Sequence, residues 1–152
     1  MAKKRHLAAP RQIRKHNLNP FMQPARDYLW IAMGGALGSV SRFWLSGFVA
    51  QRFGEGFPIG TLLVNITGCL AIGFFAGLTA PDGGFAVHPS TRQFFMVGIC
   101  GGFTTFSAFS LQTLELARAG AWGSAGLNAS LSMVACLFAV WAGHTIATAL
   151  LR

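Results

Sequence analysis

Negative charge is nearly absent from this sequence: Asp27, Glu55, Asp82 and Glu115 are the whole acidic complement of 152 residues. Charged residues of both signs make up only 11%, against about 25% in a typical soluble domain. So few charges cannot cover a water-facing surface, and the mean hydropathy is positive. The constellations that catalysis needs are also missing. There is no CxxC pair, no His near Cys at ligand spacing, and no embedded Ser/His/Asp set, so an enzyme is not expected. Cys69, Cys100 and Cys136 all fall inside apolar runs and read as small core residues. A cleaved secretory leader is not expected either. The first apolar run starts only at Tyr28 and lasts some 23 residues, too late and too long for that role.

What the chain does have is hydrophobic residues, 53% of the total, gathered into four stretches at 28–50, 59–80, 94–117 and 124–150. Each is long enough to cross a hydrocarbon layer about 30 Å thick as a helix. The expectation is an all-α membrane domain over 27–152. The net charge of +8 does not point to nucleic acid, because seven of the twelve basic residues (Lys3, Lys4, Arg5, Arg11, Arg14, Lys15 and Arg26) stand in the first 26 positions. That stretch has no acidic residue and no apolar periodicity, and Pro10, Pro20 and Pro24 interrupt it. Residues 1–26 are therefore expected to form a disordered, basic cytoplasmic tail near anionic lipid headgroups.

The first stretch contains Gly34-xxx-Gly38, which lets another helix approach its backbone, and is then interrupted by Arg42. A lone arginine facing lipid costs several kcal/mol. Arg42 therefore faces protein or water, or snorkels to the interface and pins the helix end. The second stretch carries Gly60, Gly68 and Gly73-xxx-Gly77, with Asn65 as its one strongly polar side chain. Hydrocarbon cannot satisfy the two donors and the carbonyl of that amide, so Asn65 must meet another helix or a polar passage. The loop holding Pro81, Asp82, His88 and Pro89 is the most polar connection, and His88 is expected to be solvated there.

The third stretch is irregular. Gly101-Gly102 are followed by Thr104, Thr105 and Ser107 near its middle. Paired glycines, then hydroxyls that compete for backbone hydrogen bonds, predict a broken helix whose freed carbonyls are buried or ion-bound. Phe106 and Phe109 are three apart and share one face of the helix that resumes. In the fourth stretch, Asn128, Ser130 and Ser132 stand near the start and His144 and Thr145 near the end. Ser130 and Ser132 point to different faces.

Three blocks, GGALGSVSRF (34–43), GTLLVNITGCLAIGFFAG (60–77) and GICGGFTTFSAFSLQ (98–112), resemble the Fluc/CrcB fluoride channel family in content and order. The resemblance covers about 28–150. It implies four transmembrane helices with the third broken near its middle, an antiparallel dual-topology dimer with two pores, and a multi-pass place in the bacterial plasma or inner membrane. It implies fluoride leaving the cytoplasm down its electrochemical gradient, which limits toxicity. It also implies a structural sodium ion at the dimer centre, held by the backbone carbonyls of Gly101 and Thr104. Asn65, Thr105, Phe106, Ser107 and Phe109 fall where the family lines its pores. Arg42 matches an arginine near the aqueous mouth, and either Ser130 or Ser132 supplies the fourth-helix serine. Phe43 stands where many relatives have tyrosine, and Ala108 where many have threonine.

Such a pore must replace the tight hydration shell of fluoride with many weak donors: the Asn65 amide, the Thr105 and Ser107 hydroxyls, and the positive ring edges of Phe106 and Phe109. Weak donors hold an anion without trapping it. With a cytoplasmic amino terminus, nine basic residues flank the membrane on that side, against Arg52 and Arg118 opposite. Without the tail before Arg26 the balance is three against two, which suits insertion in both orientations. The partner is then a second copy of this chain, or an oppositely oriented paralogue if the tail imposes one orientation. A proton-coupled cation exporter of similar size needs a carboxylate embedded in its first span, and this span has none. A purely structural four-helix subunit leaves the broken third stretch, Asn65 and the hydroxyls without a reason.

Overall fold

The structure, a computed structural model, describes residues 25–80 and 84–151. The tail expected over 1–26 lies outside the described residues as far as position 24, as do Pro81, Asp82, Gly83 and Arg152. Every described element is a helix. The first, α1 (Ala25–Phe53), begins three residues before Tyr28 and so takes Arg26 out of the tail. Asp27 stabilises this early start. It sits in the first turn, where the helix dipole favours a carboxylate, and its Oδ1 accepts a hydrogen bond from Ser90 Oγ at 2.7 Å.

Next comes α2 (Ile59–Leu78). The third helical segment, α3, runs as an α-helix over Pro89–Gln93, widens to a π-helix over Phe94–Cys100 and closes with the α-turn Gly101–Phe103. The chain is then extended at Thr104 (φ −80°, ψ 155°) and Thr105 (φ −150°, ψ 113°) before α4 (Phe106–Arg118) and α5 (Trp122–Leu150). Gly54 and Gly120, at φ 77° and 79°, end α1 and α4 in the left-handed conformation that glycine adopts without steric cost.

The third stretch is thus broken, but not at its glycine pair. Gly101 keeps helical angles (φ −65°, ψ −37°), and the break falls three residues later. The glycines serve packing instead. A methyl group on Gly102 would lie 2.5 Å from the Gly35 carbonyl oxygen, and one on Gly34 would lie 2.6 Å from that of Phe94, so α1 and α3 touch backbone to backbone. On the other side α2 lies along α5 in the most extensive packing of the chain. There the backbone of Val140 blocks any side chain at Gly73, and that of Leu70 blocks any at Gly143.

The stretches Ile59–Leu78, Pro89–Arg118 and Trp122–Leu150 are long and apolar enough to cross a membrane. On that measure, among the described residues, three spans stand where four were expected. With 29 residues, α1 has the length, but glycines, serines and Arg42 dilute its apolar run. The buried apolar side chains are mostly small (Val49, Val64, Cys100, Ala125, Ala139 and Ala147), while Phe43, Trp44, Leu37, Phe138 and Trp141 face outward. Lipid removes the penalty for an apolar exterior, and small residues let helices meet closely.

Candidate functional site

The break is organised by Asn65, one of the few polar side chains buried between helices. Its Oδ1 accepts the Thr105 N–H at 2.7 Å, and its Nδ2 donates to the Thr105 carbonyl at 3.1 Å. A peptide N–H needs an acceptor and its carbonyl needs a donor, so the amide can be oriented only one way round. One Nδ2 hydrogen remains uncommitted. Thr105 is also the N-cap of α4: its Oγ1 accepts the Ala108 N–H at 3.2 Å and lies 3.2 Å from Ser107 Oγ.

Those bonds leave two carbonyls without their helical donors. In a continuous helix the Thr105 N–H would bond the Gly101 carbonyl and the Ala108 N–H the Thr104 carbonyl. The first is instead held by Asn65 and the second by Thr105 Oγ1. The donor sets of Gly101 and Thr104 therefore fit a hard cation that takes neutral oxygen ligands.

Thr105 lines two cavities. The larger, about 740 Å³, lies between the α1–α2 and α4–α5 turns and is lined by Arg42, Thr61, Val64, Gln112 and Glu115 among others. The smaller, about 210 Å³, is lined by Asn65, Thr104, Thr105, Phe106, Phe109 and Ser132. Its remaining lining carries sulfur: Cys69, Met133 and Cys136. Phe106 and Phe109 stand 5.2 Å apart, centroid to centroid, at 48° between ring planes.

Of the residues expected to line the pore, five (Asn65, Thr105, Phe106, Phe109 and Ser132) line the small cavity. Ser107 joins them through its contact with Thr105, and Arg42 lines the large cavity. Of the two candidate serines on α5, Ser132 is buried. Ser130 is exposed, and its hydroxyl donates to the Gly126 carbonyl of its own helix at 2.8 Å. His88 is exposed, and its ring accepts the Ser90 N–H at the start of α3.

Other groups were missed. Asn128, only 2% exposed, donates from Nδ2 to Thr113 Oγ1 at 2.8 Å, and its Oδ1 lies 3.5 Å from Ser132 Oγ. Their spacing of four residues was the available signal. Cys100 is a core residue as expected. Cys69 and Cys136, read the same way, are half-buried against the small cavity. They follow Asn65 and Ser132 by one helical turn, which puts each cysteine on the same face as the polar residue before it.

An all-helical, multi-pass membrane protein, with small side chains between its helices and polar groups gathered round a break in the third, is the class that this fold and site define. A family model described as "CrcB-like protein, Camphor Resistance (CrcB)" matches residues 29–144, and the chain belongs to that family. It is 62% identical over 123 residues to the fluoride-specific ion channel FluC of Opitutus terrae, covering 81% of this chain and 93% of that protein. To the fluoride-specific ion channel FluC of Methylocella silvestris it is 56% identical over 124 residues, 82% and 95% of the two chains. To the one of Rhodospirillum rubrum it is 57% identical over 117 residues, 77% and 91%. The family is one of ion channels, not of enzymes.

Proposed function

We propose that this chain is a fluoride channel and that the ion passes from the large cavity, past Asn65 and Thr105, into the small one. The observation that carries this reading is that Thr105 lines both cavities, beside an Asn65 amide with one hydrogen uncommitted. Arg42 attracts the anion into the large cavity. At the constriction the amide, the hydroxyls of Thr105, Ser107 and Ser132, and the ring edges of Phe106 and Phe109 replace water one donor at a time. The amino-terminal end of α4 adds positive potential there.

In this reading α1 is a fourth span. Its Ser39, Arg42 and Ser46 are half-buried against neighbouring helices, and a second, oppositely oriented copy covers the open face where Phe106 is 71% exposed. Sodium fits the Gly101 and Thr104 carbonyls, where it would supply a fixed positive charge and hold the break in shape. Fluoride leaves the cytoplasm down its electrochemical gradient, which limits its toxicity.

Reconstituted protein should release fluoride from liposomes, read with a fluoride electrode, under a potassium-valinomycin shunt. Chloride should not follow. Release of chloride at a comparable rate, or no fluoride release at all, overturns this assignment. Accessibility labelling that finds both orientations within one purified dimer supports the homodimer, and a single orientation requires a paralogous partner.

A further inference from the structure

The small cavity contains a group of side chains that fluoride conduction does not call for. Cys69 on α2, Cys136 on α5 and Met133 all line the same 210 Å³ space. The arrangement follows from helical spacing. Asn65 and Cys69 are four apart on α2, Ser132 and Cys136 four apart on α5, and these two helices pack along their length. One turn therefore presents a facing pair of polar groups and the next a facing pair of thiols.

We infer that Cys69, Cys136 and Met133 form a binding site for a soft, thiophilic d10 cation of the silver(I), copper(I) or mercury(II) class. Two thiolates meet the preference of such ions for two-coordinate sulfur, and the Met133 thioether is a third soft donor. The cavity lining has no carboxylate or imidazole, so harder cations such as zinc or magnesium find too few of their ligands. On binding, each thiol releases its proton to water and the sulfur lone pair so exposed ligates the metal; no oxidation is involved. Cys100, buried between helices, does not line this cavity and takes no part.

One consequence rests on the fluoride-channel reading. A cation seated on the sulfurs lies about one helical turn, roughly 5 Å, from Asn65 and occupies the chamber through which fluoride passes. Submicromolar soft metal then blocks the channel.

The test has two arms, so that failure of the site and failure of the channel reading are told apart. In the first, silver ion is titrated into the full-length protein in detergent and counted by native mass spectrometry. A single silver ion per chain is expected. Substitution of a metal's outer partners already weakens binding by about 10–100-fold, so Cys69→Ser and Cys136→Ser should each weaken it at least tenfold, whereas Cys100→Ser should not. Silver uptake that survives the Cys69→Ser/Cys136→Ser double variant, or that is lost in Cys100→Ser, overturns the site. If either single variant is polydisperse, Met133→Leu and protection of Cys69 and Cys136 from maleimide by silver decide the same question. In the second arm, fluoride efflux is measured with and without silver nitrate, each variant against its own uninhibited rate. Block in the wild type and relief in the cysteine variants support the pore location. Unaltered efflux from silver-loaded wild type overturns it.

Discussion

Asn65 and Thr105 are joined by two hydrogen bonds that reproduce, between a side chain and a backbone, the pairing of two peptide groups: N–H to Oδ1 at 2.7 Å and Nδ2–H to carbonyl at 3.1 Å. The amide does two jobs at once. It satisfies a backbone that has left the helix, and it keeps one N–H for whatever occupies the cavity beside it.

Asn65→Ala should therefore cost both stability and transport. Leaving the Thr105 N–H and carbonyl without partners costs about 1–3 kcal/mol for each group, so the variant should melt earlier in detergent and conduct no fluoride. Asn65→Asp is the sharper variant. It keeps the size and the acceptor, loses the donor and adds a charge that repels anions, and should likewise abolish fluoride efflux. Unchanged efflux in both would remove Asn65 from the path.

Phe106→Leu should separate function from folding. The ring is 71% exposed within one chain, so stability should stay within about 0.5 kcal/mol of wild type. An aromatic edge contact worth about 0.5–1.5 kcal/mol implies fluoride efflux slower by about two- to tenfold. Thermal melting and electrode traces on the same preparation check both halves.

Ser130 and Ser132 of α5 offer an internal control. Ser132→Ala should slow efflux, because its hydroxyl is buried at the cavity beside Asn128. Ser130→Ala should leave efflux as it was, since that hydroxyl bonds its own helix on an exposed face.

Packing makes a prediction independent of transport. At Gly73 a methyl group has no room against the Val140 backbone, whereas at Gly126 nothing lies within 4 Å. Gly73→Ala should destabilise by about 1–3 kcal/mol, as overpacking does. Gly126→Ala should be neutral or gain up to about 1 kcal/mol from helix propensity. Melting curves in one detergent decide it.

If sodium occupies the Gly101 and Thr104 carbonyls, protein prepared with choline as the only small cation should melt at a lower temperature than protein in sodium. Restoring sodium should recover the difference. Equal melting in both media would argue against a bound cation there.

The helical character, the rough extent of each stretch and the presence of a break were legible in the sequence, because a membrane solvent imposes length and apolarity on every span. The position of the break was not. Gly101-Gly102 look like the weak point, yet Gly102 is packed against α1 at Gly35, Gly101 keeps helical angles, and the helix yields at Thr104 and Thr105, where Asn65 offers a better partner than the next turn. The first turn of α1 is likewise held by a residue far off in the sequence, Ser90.

By itself the sequence determined which groups the bilayer could not tolerate unpaired: Asn65, Arg42, and the run of hydroxyls after the glycines. That follows from local chemistry, since hydrocarbon offers them no hydrogen bonds. Only the tertiary structure decided with whom each is paired. It put Asn65 on Thr105, chose Ser132 over Ser130 for the interior, drew Asn128 into the same network and brought Cys69 and Cys136 to one cavity. Those outcomes depend on the rotation of α2 and α5 about their axes, which is settled where the backbones meet at Gly73 and Gly143.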